Sequence, residues 1–181
     1  VYKRQVFRGT NTGCGTTSVY GHSFNQRLKV AKISQETPPD RFKVPLIDAG
    51  ITKWNLRPRK IFKERYLSIV DPSKEAYLVE PLTPSQQCEY KYLIHIDGHV
   101  SAFRLSLEMS MGCCILKVKS LHGWQLWFSH LLIEYEHYVP IKSDLSDLIE
   151  KINWCRENDT LCKKMALNLS LIHISEPTRR S

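Results

Sequence analysis

Three short apolar runs in the second half of the chain alternate with longer, partly polar segments. The runs are YKYLIHID, CCILKV and HYVPI, and helical patterns follow the first and the third. As a strand, the first run places Tyr92, Ile94 and Ile96 on one face, with Leu93 and His95 on the other. Strands that alternate with helices predict a parallel sheet with helices on its faces and right-handed crossovers.

The first half fits the same pattern less regularly. Val6 to Arg8 reads as the end of a strand that runs into the Gly/Thr-rich loop GTNTGCGTT, and 24–33 reads as a helix with Leu28 and Ala31 on one side. The run LIDAGI is a candidate buried strand, and 52–77 is expected to be mostly loop with a short helix. The predicted fold class is α/β, a Rossmann-like parallel sheet with flanking helices.

Two helices are expected in the second half. The first begins at Ser101 and stops at Gly112, which favours a helix end. The second has Ser143 as its N-cap, is interrupted at Asn158, and resumes as a final turn over 159–165. Its apolar stripe recurs at helical spacing through Leu145, Leu148, Ile149, Ile152 and Cys155.

The two ends of the chain are related through their codons. Codons for Val1–Gln5 can be the reverse complement of codons for Leu169–His173, a string that resembles a transposase end used to tag sequencing libraries. Segments 1–5 and 169–181 are therefore expected to be adapter-derived, which leaves 6–168 as one partial domain. The alternative is a genuine terminal strand at Leu169–Ile174.

Composition limits the function classes. Without the two adapter-like ends, Lys+Arg falls from 26 to 22 and Asp+Glu from 18 to 17, so the net charge falls from +8 to +5. A diffuse charge of this size predicts no nucleic-acid partner, which requires a clustered basic face, but it suits a small anionic ligand held by a few arginines. The six cysteines form no CxxC pair, so no zinc site is expected.

The stretch DGHVSAFR is the first candidate site, because it follows a predicted strand. Gly98 permits a sharp turn, and backbone N–H groups near Ser101 would favour an anion at the start of the helix. Arg104 is then placed to contact a phosphate; the alternative is an ion pair with a surface carboxylate. His99 lies in the same loop and is a candidate contact, whereas His95 is expected to be a core histidine.

The stretch VFRGTNTGCG is the second candidate site. Gly9, Gly13 and Gly15, with Thr10 and Thr12, could form a phosphate-binding nest of backbone N–H groups. The stretch has neither a Walker pattern nor GxGxxG, and the alternative is an ordinary surface loop.

The blocks VFRG, CEYKYLIHIDGHVSAFRL and HYVPIKSDLSDLIEKI, with END after them, resemble glycosyltransferase family 90. That family includes the Rumi-type protein O-glucosyltransferases and the fungal capsule-associated xylosyltransferases. The resemblance implies one half of a GT-B fold, the C-terminal, donor-binding half. It also implies transfer of glucose or xylose from a UDP-sugar to a hydroxyl of a protein or glycan acceptor, with inversion and without an obligatory metal or other cofactor.

The resemblance assigns roles by position. It makes Arg104 the group that stabilises the donor diphosphate. The remaining donor-binding positions, from the family motif and from the two loops described above, are Phe7, Arg8, Gly9, Thr10, Thr12, Gly98, Ser101, Ala102 and Phe103.

Several positions depart from the family pattern. Asn11 replaces an arginine, whose charge Arg57 or Arg59 would have to supply, and Met111 stands where a partner for Cys88 is expected. The family's catalytic Asp has no match in this chain.

An inactive nucleotide-sugar or glycan-binding domain is therefore the alternative function, and a general nucleotide-binding regulator is a third. For a eukaryotic protein the resemblance implies the secretory-pathway lumen.

Overall fold

A single parallel sheet organises the computed structural model, which describes residues 3–13, 25–39, 44–55 and 76–175. In the order β2-β1-β3-β4-β5, every neighbouring pair of strands is parallel. The strands within these ranges are β1 (Lys3–Thr10), β2 (Asp48–Lys53), β3 (Tyr90–His95), β4 (Cys114–Val118) and β5 (Val139–Ile141). The predicted α/β class is thereby confirmed. The strands predicted at Val6–Arg8, YKYLIHID, CCILKV and HYVPI are also confirmed, as is the candidate strand LIDAGI.

Helices cover both faces of the sheet. They are α1 (Gln26–Glu36), α2 (Pro84–Gln87), α3 (Arg104–Met109), α4 (Leu148–Glu157) and α5 (Asp159–Ser175). Buried residues of α1, α4 and the first half of α5 form one core with the sheet, which includes Ile94 and Ile96. On the opposite face, Leu105 and Met109 of α3 pack with Ile115 of β4 and Leu169 of α5. The sheet is thus buried on both sides, as a parallel sheet requires.

The strands are added on opposite sides of β1, so the order of strands across the sheet reverses between β1 and β3. From β1 the chain adds β2 on one side, whereas β3, β4 and β5 follow one another outward on the other side. In open parallel sheets a ligand crevice forms at such a switch point, beyond the carboxyl ends of the two strands. The loops that follow β1 and β3 therefore mark the expected binding edge.

Two helix starts differ from the prediction. The helix expected from Ser101 begins at Arg104, so Ser101–Phe103 are not its first turn. The helix expected to be capped by Ser143 begins at Leu148, because 143–147 fold into turns stabilised by local side chains. In those turns Asp144 accepts hydrogen bonds from Ser146, and the Asp147 carboxylate accepts one from the Lys142 backbone N–H.

The predicted interruption at Asn158 is confirmed, but α5 continues through Ser175 instead of ending near 165. It therefore crosses the boundary expected after residue 168, and it is helical where the alternative was a strand. Leu169 is 1% exposed in the core, whereas Leu171 is 56% exposed. The adapter boundaries at 1–5 and 169–181 stay predictions. No helix in the described ranges has the length and apolarity needed to cross a membrane.

Candidate functional site

The loops after β1 and β3 meet at the switch point. His99 Nδ1 lies 3.4 Å from the Gly13 backbone nitrogen and 3.3 Å from its carbonyl oxygen. A Cβ atom added to Gly98 would lie 2.9 Å from Thr12 Oγ1. Gly98 is therefore required by this close approach; its φ is not in the left-handed region, so the sharp turn expected there is not what selects glycine. The two candidate sites are one site.

Arg27 joins the two strand ends, and it was missed by the sequence analysis. Its guanidinium donates hydrogen bonds of 2.9 Å to each of the carbonyl oxygens of Thr10, Ile96 and Asp97. Its guanidinium carbon also lies 5.8 Å from the centre of the Phe7 ring. Burial and the neighbouring Arg104 charge lower the pKa of Arg27 to about 10, so it remains a cation near neutral pH. The Arg27 guanidinium thus links the carboxyl end of β1 to the segment that follows β3.

Arg104 is held in place by three contacts. Its Nε donates to Glu108 Oε1 at 2.7 Å, and its Nη1 donates to the carbonyl oxygen of Arg8 at 3.0 Å. Its guanidinium carbon lies 5.7 Å from the centre of the Phe7 ring. The side chain is 28% exposed, and Nη2 donates no hydrogen bond to any residue that the structure describes. One edge of an oriented guanidinium is thus left for a ligand.

The partner of Arg104 is a buried carboxylate, which corrects the expected alternative of a surface carboxylate. The Glu108 side chain is 3% exposed, and its second oxygen lies 2.6 Å from His95 Nδ1. Burial alone would raise the pKa of Glu108, but His95 and then Arg104 more than offset this effect and lower it. His95 is therefore a core histidine with a partner, as expected, and Glu108 stays ionised and orients Arg104.

The backbone N–H groups expected to bind an anion near Ser101 are arranged differently. The Ala102 N–H donates to Asp97 Oδ1 at 3.2 Å, and α3 has only six residues, beginning at Arg104. The Ala102 N–H is therefore already bonded and the short helix has only a small dipole, and the donor-binding roles of Ser101, Ala102 and Phe103 stay predictions. Phe103 is 75% exposed and reaches away from the core.

Other predicted residues support the strand ends from within the fold. Phe7 is 2% exposed and belongs to the core, and Arg8 forms a 2.6 Å ion pair with Asp48, which also accepts a hydrogen bond from the Tyr90 hydroxyl. Gly9 is buried beneath the Phe7 ring. In this geometry Phe7 and Arg8 contribute the ring and the carbonyl that position Arg104, and their donor-binding roles stay predictions.

Asn11, which stands where the family pattern has an arginine, has an interior role in this structure. It is fully buried, its Oδ1 accepts the backbone N–H of Asn55, and its carbonyl accepts a hydrogen bond from the Asn25 side chain. Arg57 and Arg59, the expected substitutes, lie outside the described residues. Among the described residues, Arg27 supplies a second guanidinium near the strand ends.

A small pocket opens beyond the strand ends. Its walls come from the loops after β1, β3 and β4 and from the start of α1, where Gln26 Nε2 donates to the carbonyl oxygens of Lys119 and Ser143. The residues that line it are Thr12, Gly13, Gln26, Asp97, Gly98, Ser120, Leu121, His122 and Trp124. In the described part of the chain no group of three His, Cys, Asp or Glu side chains is arranged to hold a metal ion.

The structure is thus a Rossmann-like α/β domain in which two arginines, Arg27 and Arg104, are hydrogen-bonded to backbone carbonyl groups near the ends of β1 and β3. The sequence model described as Glycosyl transferase family 90 matches residues 42–171. The chain therefore belongs to glycosyltransferase family 90.

Relatives and solved structures agree with this assignment. Uncharacterized protein 179R of Invertebrate iridescent virus 6 is 65% identical over 167 residues, which cover 89% of this chain and 14% of that protein. Protein O-glucosyltransferase 3 of Homo sapiens is 32% identical over 147 residues, which cover 80% of this chain and 24% of that protein. The chain thus spans about a quarter or less of these relatives.

Among solved structures, TarM matches 97% of this chain and 32% of its own with a TM-score of 0.56 and 13% identity. Anabaena Alr3699/HepE in complex with UDP-glucose matches 94% of this chain and 44% of its own with a TM-score of 0.55 and 13% identity. These similarities confirm the predicted architecture, one half of a GT-B glycosyltransferase.

Proposed function

We propose that the chain is the donor-binding part of an inverting glycosyltransferase that moves glucose or xylose from a UDP-sugar to a hydroxyl acceptor. The observation that carries the proposal is Arg104, which Glu108 and the Arg8 carbonyl orient beside β1 and which is 28% exposed, with Nη2 donating no hydrogen bond to any described residue. A guanidinium edge suits a diphosphate because it donates two charge-assisted hydrogen bonds in one plane. The UDP-glucose complex of HepE, which has the same fold, and the O-glucosyltransferase relatives support the choice of donor.

The proposed reaction is a single displacement. The oxygen of the acceptor hydroxyl attacks the anomeric carbon, the bond from that carbon to the UDP oxygen breaks, and the hydroxyl proton passes to a carboxylate base, the family's catalytic Asp, for which this sequence has no match. UDP leaves with the bonding electron pair, so negative charge grows on the diphosphate. Arg104 opposes that charge in the transition state, which is where an oriented donor lowers the barrier most.

An inactive nucleotide-sugar or glycan-binding domain of the same fold is the second candidate. It is favoured by Asn11, a buried neutral side chain at the position where the family pattern has an arginine. Such a domain would bind UDP-sugar with the same residues but would not transfer the sugar.

The test is a calorimetric titration of the chain with UDP-glucose, in buffer with EDTA because no metal is expected to participate. Arg104→Ala should weaken binding roughly tenfold or more, since hydrogen bonds to charged groups contribute about 1.5–3 kcal/mol. Arg104→Lys should recover only part of the affinity, because an ammonium cannot donate from a planar edge. Arg156→Ala on α4 removes the same charge from an exposed position and should change nothing.

If Arg104→Ala binds UDP-glucose as the parent does, the proposed donor role of Arg104 is wrong. Loss of binding in EDTA would contradict the metal-independent part of the proposal. Turnover, assayed with a full-length family member that supplies the base, separates the transferase from the inactive domain.

A further inference from the structure

A second, larger cleft lies beside the edge strand β5. Its volume is about 480 Å³, which is within the range of roughly 300–1,000 Å³ usual for small-molecule sites. The ends of β4 and β5, the segment before β5 and the α4 helix form its walls. The residues that line it are Lys117, Lys119, Ser120, Gly123, Trp124, Gln125, Ser129, Glu134, Tyr135, Tyr138, Pro140, Ile141, Lys142, Asp147 and Lys151.

Positive charge predominates in this cleft, since four lysines face two carboxylates. Lys119 and Lys142 each lie one residue beyond the last paired positions of β4 and β5, Val118 and Ile141, so they are neighbours across the two strands. Like charges at such neighbouring positions are destabilising. Neither lysine forms an ion pair with any residue in the described ranges. An anion between them would offset this repulsion.

The two acidic residues of the cleft, Glu134 and Asp147, offset only part of the charge of its four lysines. The Asp147 carboxylate already accepts the Lys142 backbone N–H at 2.9 Å. Lys117, whose Nζ lies 5.3 Å from the centre of the Tyr138 ring, is partly buried, and this burial lowers its pKa despite the attraction of Asp97 and Glu134. A bound anion would favour the charged form of Lys117.

Aromatic faces line the same cleft. Trp124 is 40% exposed and Tyr135 is 46% exposed. Tyr135 has a φ of 59°, in the left-handed region that an aromatic residue adopts only at a cost of roughly 1–3 kcal/mol. Its ring is braced by an edge contact with Trp154 at 5.5 Å and by Lys151 Nζ at 5.6 Å. The strained backbone thus holds an aromatic face at the cleft.

The cleft is continuous with the switch-point pocket. Ser120 and Trp124 line both cavities, and the Trp124 backbone N–H donates to Ser120 Oγ at 2.9 Å, which fixes the shared wall. A ligand in the cleft would therefore lie next to a donor bound in the switch-point pocket. A transferase binds its acceptor beside the donor, so the cleft is a candidate for that subsite.

We propose that this cleft is the acceptor subsite and that it binds an anionic carbohydrate, a sugar chain with carboxylate, sulfate or phosphate groups. Lysine pairs bind the anionic groups, and the aromatic faces stack against the apolar faces of the sugar rings. The proposal rests on the transferase function proposed above and adds the class of acceptor.

The experiment compares two tetrasaccharides of similar size by titration calorimetry with the 181-residue chain. A hyaluronan tetrasaccharide has carboxylates, and N-acetylchitotetraose is neutral. The hyaluronan chain should bind at least about tenfold more tightly, and Lys119→Gln with Lys142→Gln should abolish that preference. The control pair Lys163→Gln and Lys164→Gln removes the same charge from exposed positions on α5 and should retain it. Titrations with glucose 6-sulfate and glucose 6-phosphate then compare the affinities of the cleft for a sulfate and a phosphate group.

Equal affinity for the two tetrasaccharides, or loss of the preference in the α5 control pair, would overturn the proposal. UDP-glucose affinity identifies which proposal fails. If the Lys119/Lys142 double variant loses UDP-glucose and hyaluronan binding equally, the cleft is part of the donor site and not an acceptor subsite. If UDP-glucose fails to bind the parent chain while the hyaluronan preference holds, the transferase function fails and the anionic-sugar site stands alone.

Discussion

Glu108 is a buried carboxylate whose charge depends on two partners, His95 and Arg104. An arginine side chain has many rotamers, and the 2.7 Å contact between Glu108 and Arg104 Nε restricts which of them Arg104 adopts. Because the pair is four residues apart on α3, it needs little tertiary support beyond His95 of β3. Glu108 is thus a positioning residue for Arg104.

The Glu108→Gln substitution tests this role. Gln keeps the size of the side chain but removes its charge and leaves a hydrogen-bond partner unsatisfied, so we expect roughly 1–3 kcal/mol less stability at pH 7 and weaker UDP-glucose binding. The pKa of Glu108 is lowered in the fold from an ordinary value of 4.5, so its contribution is fully present above that pH. It is lost as the pH falls through the folded pKa. Urea denaturation of both proteins from pH 7 downward should show the difference disappear in acid.

Glu150→Gln is the matched control, because Glu150 is 77% exposed and pairs with Lys151 only at 3.9 Å. We expect it to leave both the stability and the UDP-glucose affinity nearly unchanged. A difference between parent and Glu108→Gln that persists to the lowest pH would show that shape, and not charge, explains the effect.

The sequence singles out Arg104 as a candidate, a role that stays a prediction, but gives no comparable indication of Arg27. Arg104 belongs to a strand–glycine–arginine pattern that is visible in the sequence. Arg27 lies in an ordinary helical stretch, and its function depends on three carbonyl oxygens from two loops far away in the chain. The one available signal was a charged residue next to the apolar Leu28 at a helix start. Buried polar contacts of this kind follow from the tertiary fold.

At the scale of elements, the strands were predicted well and the helix boundaries were not. The apolar runs reflect burial on both faces of a parallel sheet, which leaves a strong signal. Helix starts depend on local competition, as at 143–147, where Asp144 and Asp147 stabilise turns in place of the expected cap at Ser143. Leu145 has a φ of 61° there, a conformation that side-chain spacing does not reveal.

Helix α5 provides a direct test of the predicted boundary after residue 168. Leu169→Ala should lower the free energy of unfolding by about 2–4 kcal/mol, because it leaves a cavity against Leu105 and Ile115. Leu171→Ala on the exposed side should change it by less than about 0.5 kcal/mol. The measurement is urea denaturation of both variants. Equal small effects would mean that the segment after 168 does not pack, as expected of adapter-derived sequence.

At the scale of the whole molecule, one feature of topology determines where a ligand can bind. The reversal of strand order between β1 and β3 brings two loops, separated by about half of the chain, to the same edge. The sequence predicted both loops as candidates, because each follows a strand and contains glycine. It could not predict that Thr12 and Gly98 touch, since strand order across a sheet is not encoded in local pattern.

If this edge is a UDP-sugar site, UDP should stabilise the whole chain. A ligand at a hundredfold its Kd adds about 2.7 kcal/mol to the free energy of unfolding, which corresponds to a rise in Tm of roughly 5–10 °C for a domain of this size. ADP at the same concentration should give a smaller shift, because a crevice shaped for a pyrimidine would fit a larger purine less well. Thermal scans with UDP, ADP and inorganic pyrophosphate measure this. Equal shifts for UDP and ADP would favour a general nucleotide-binding regulator, and a shift with pyrophosphate alone would limit the site to the diphosphate contact at Arg104.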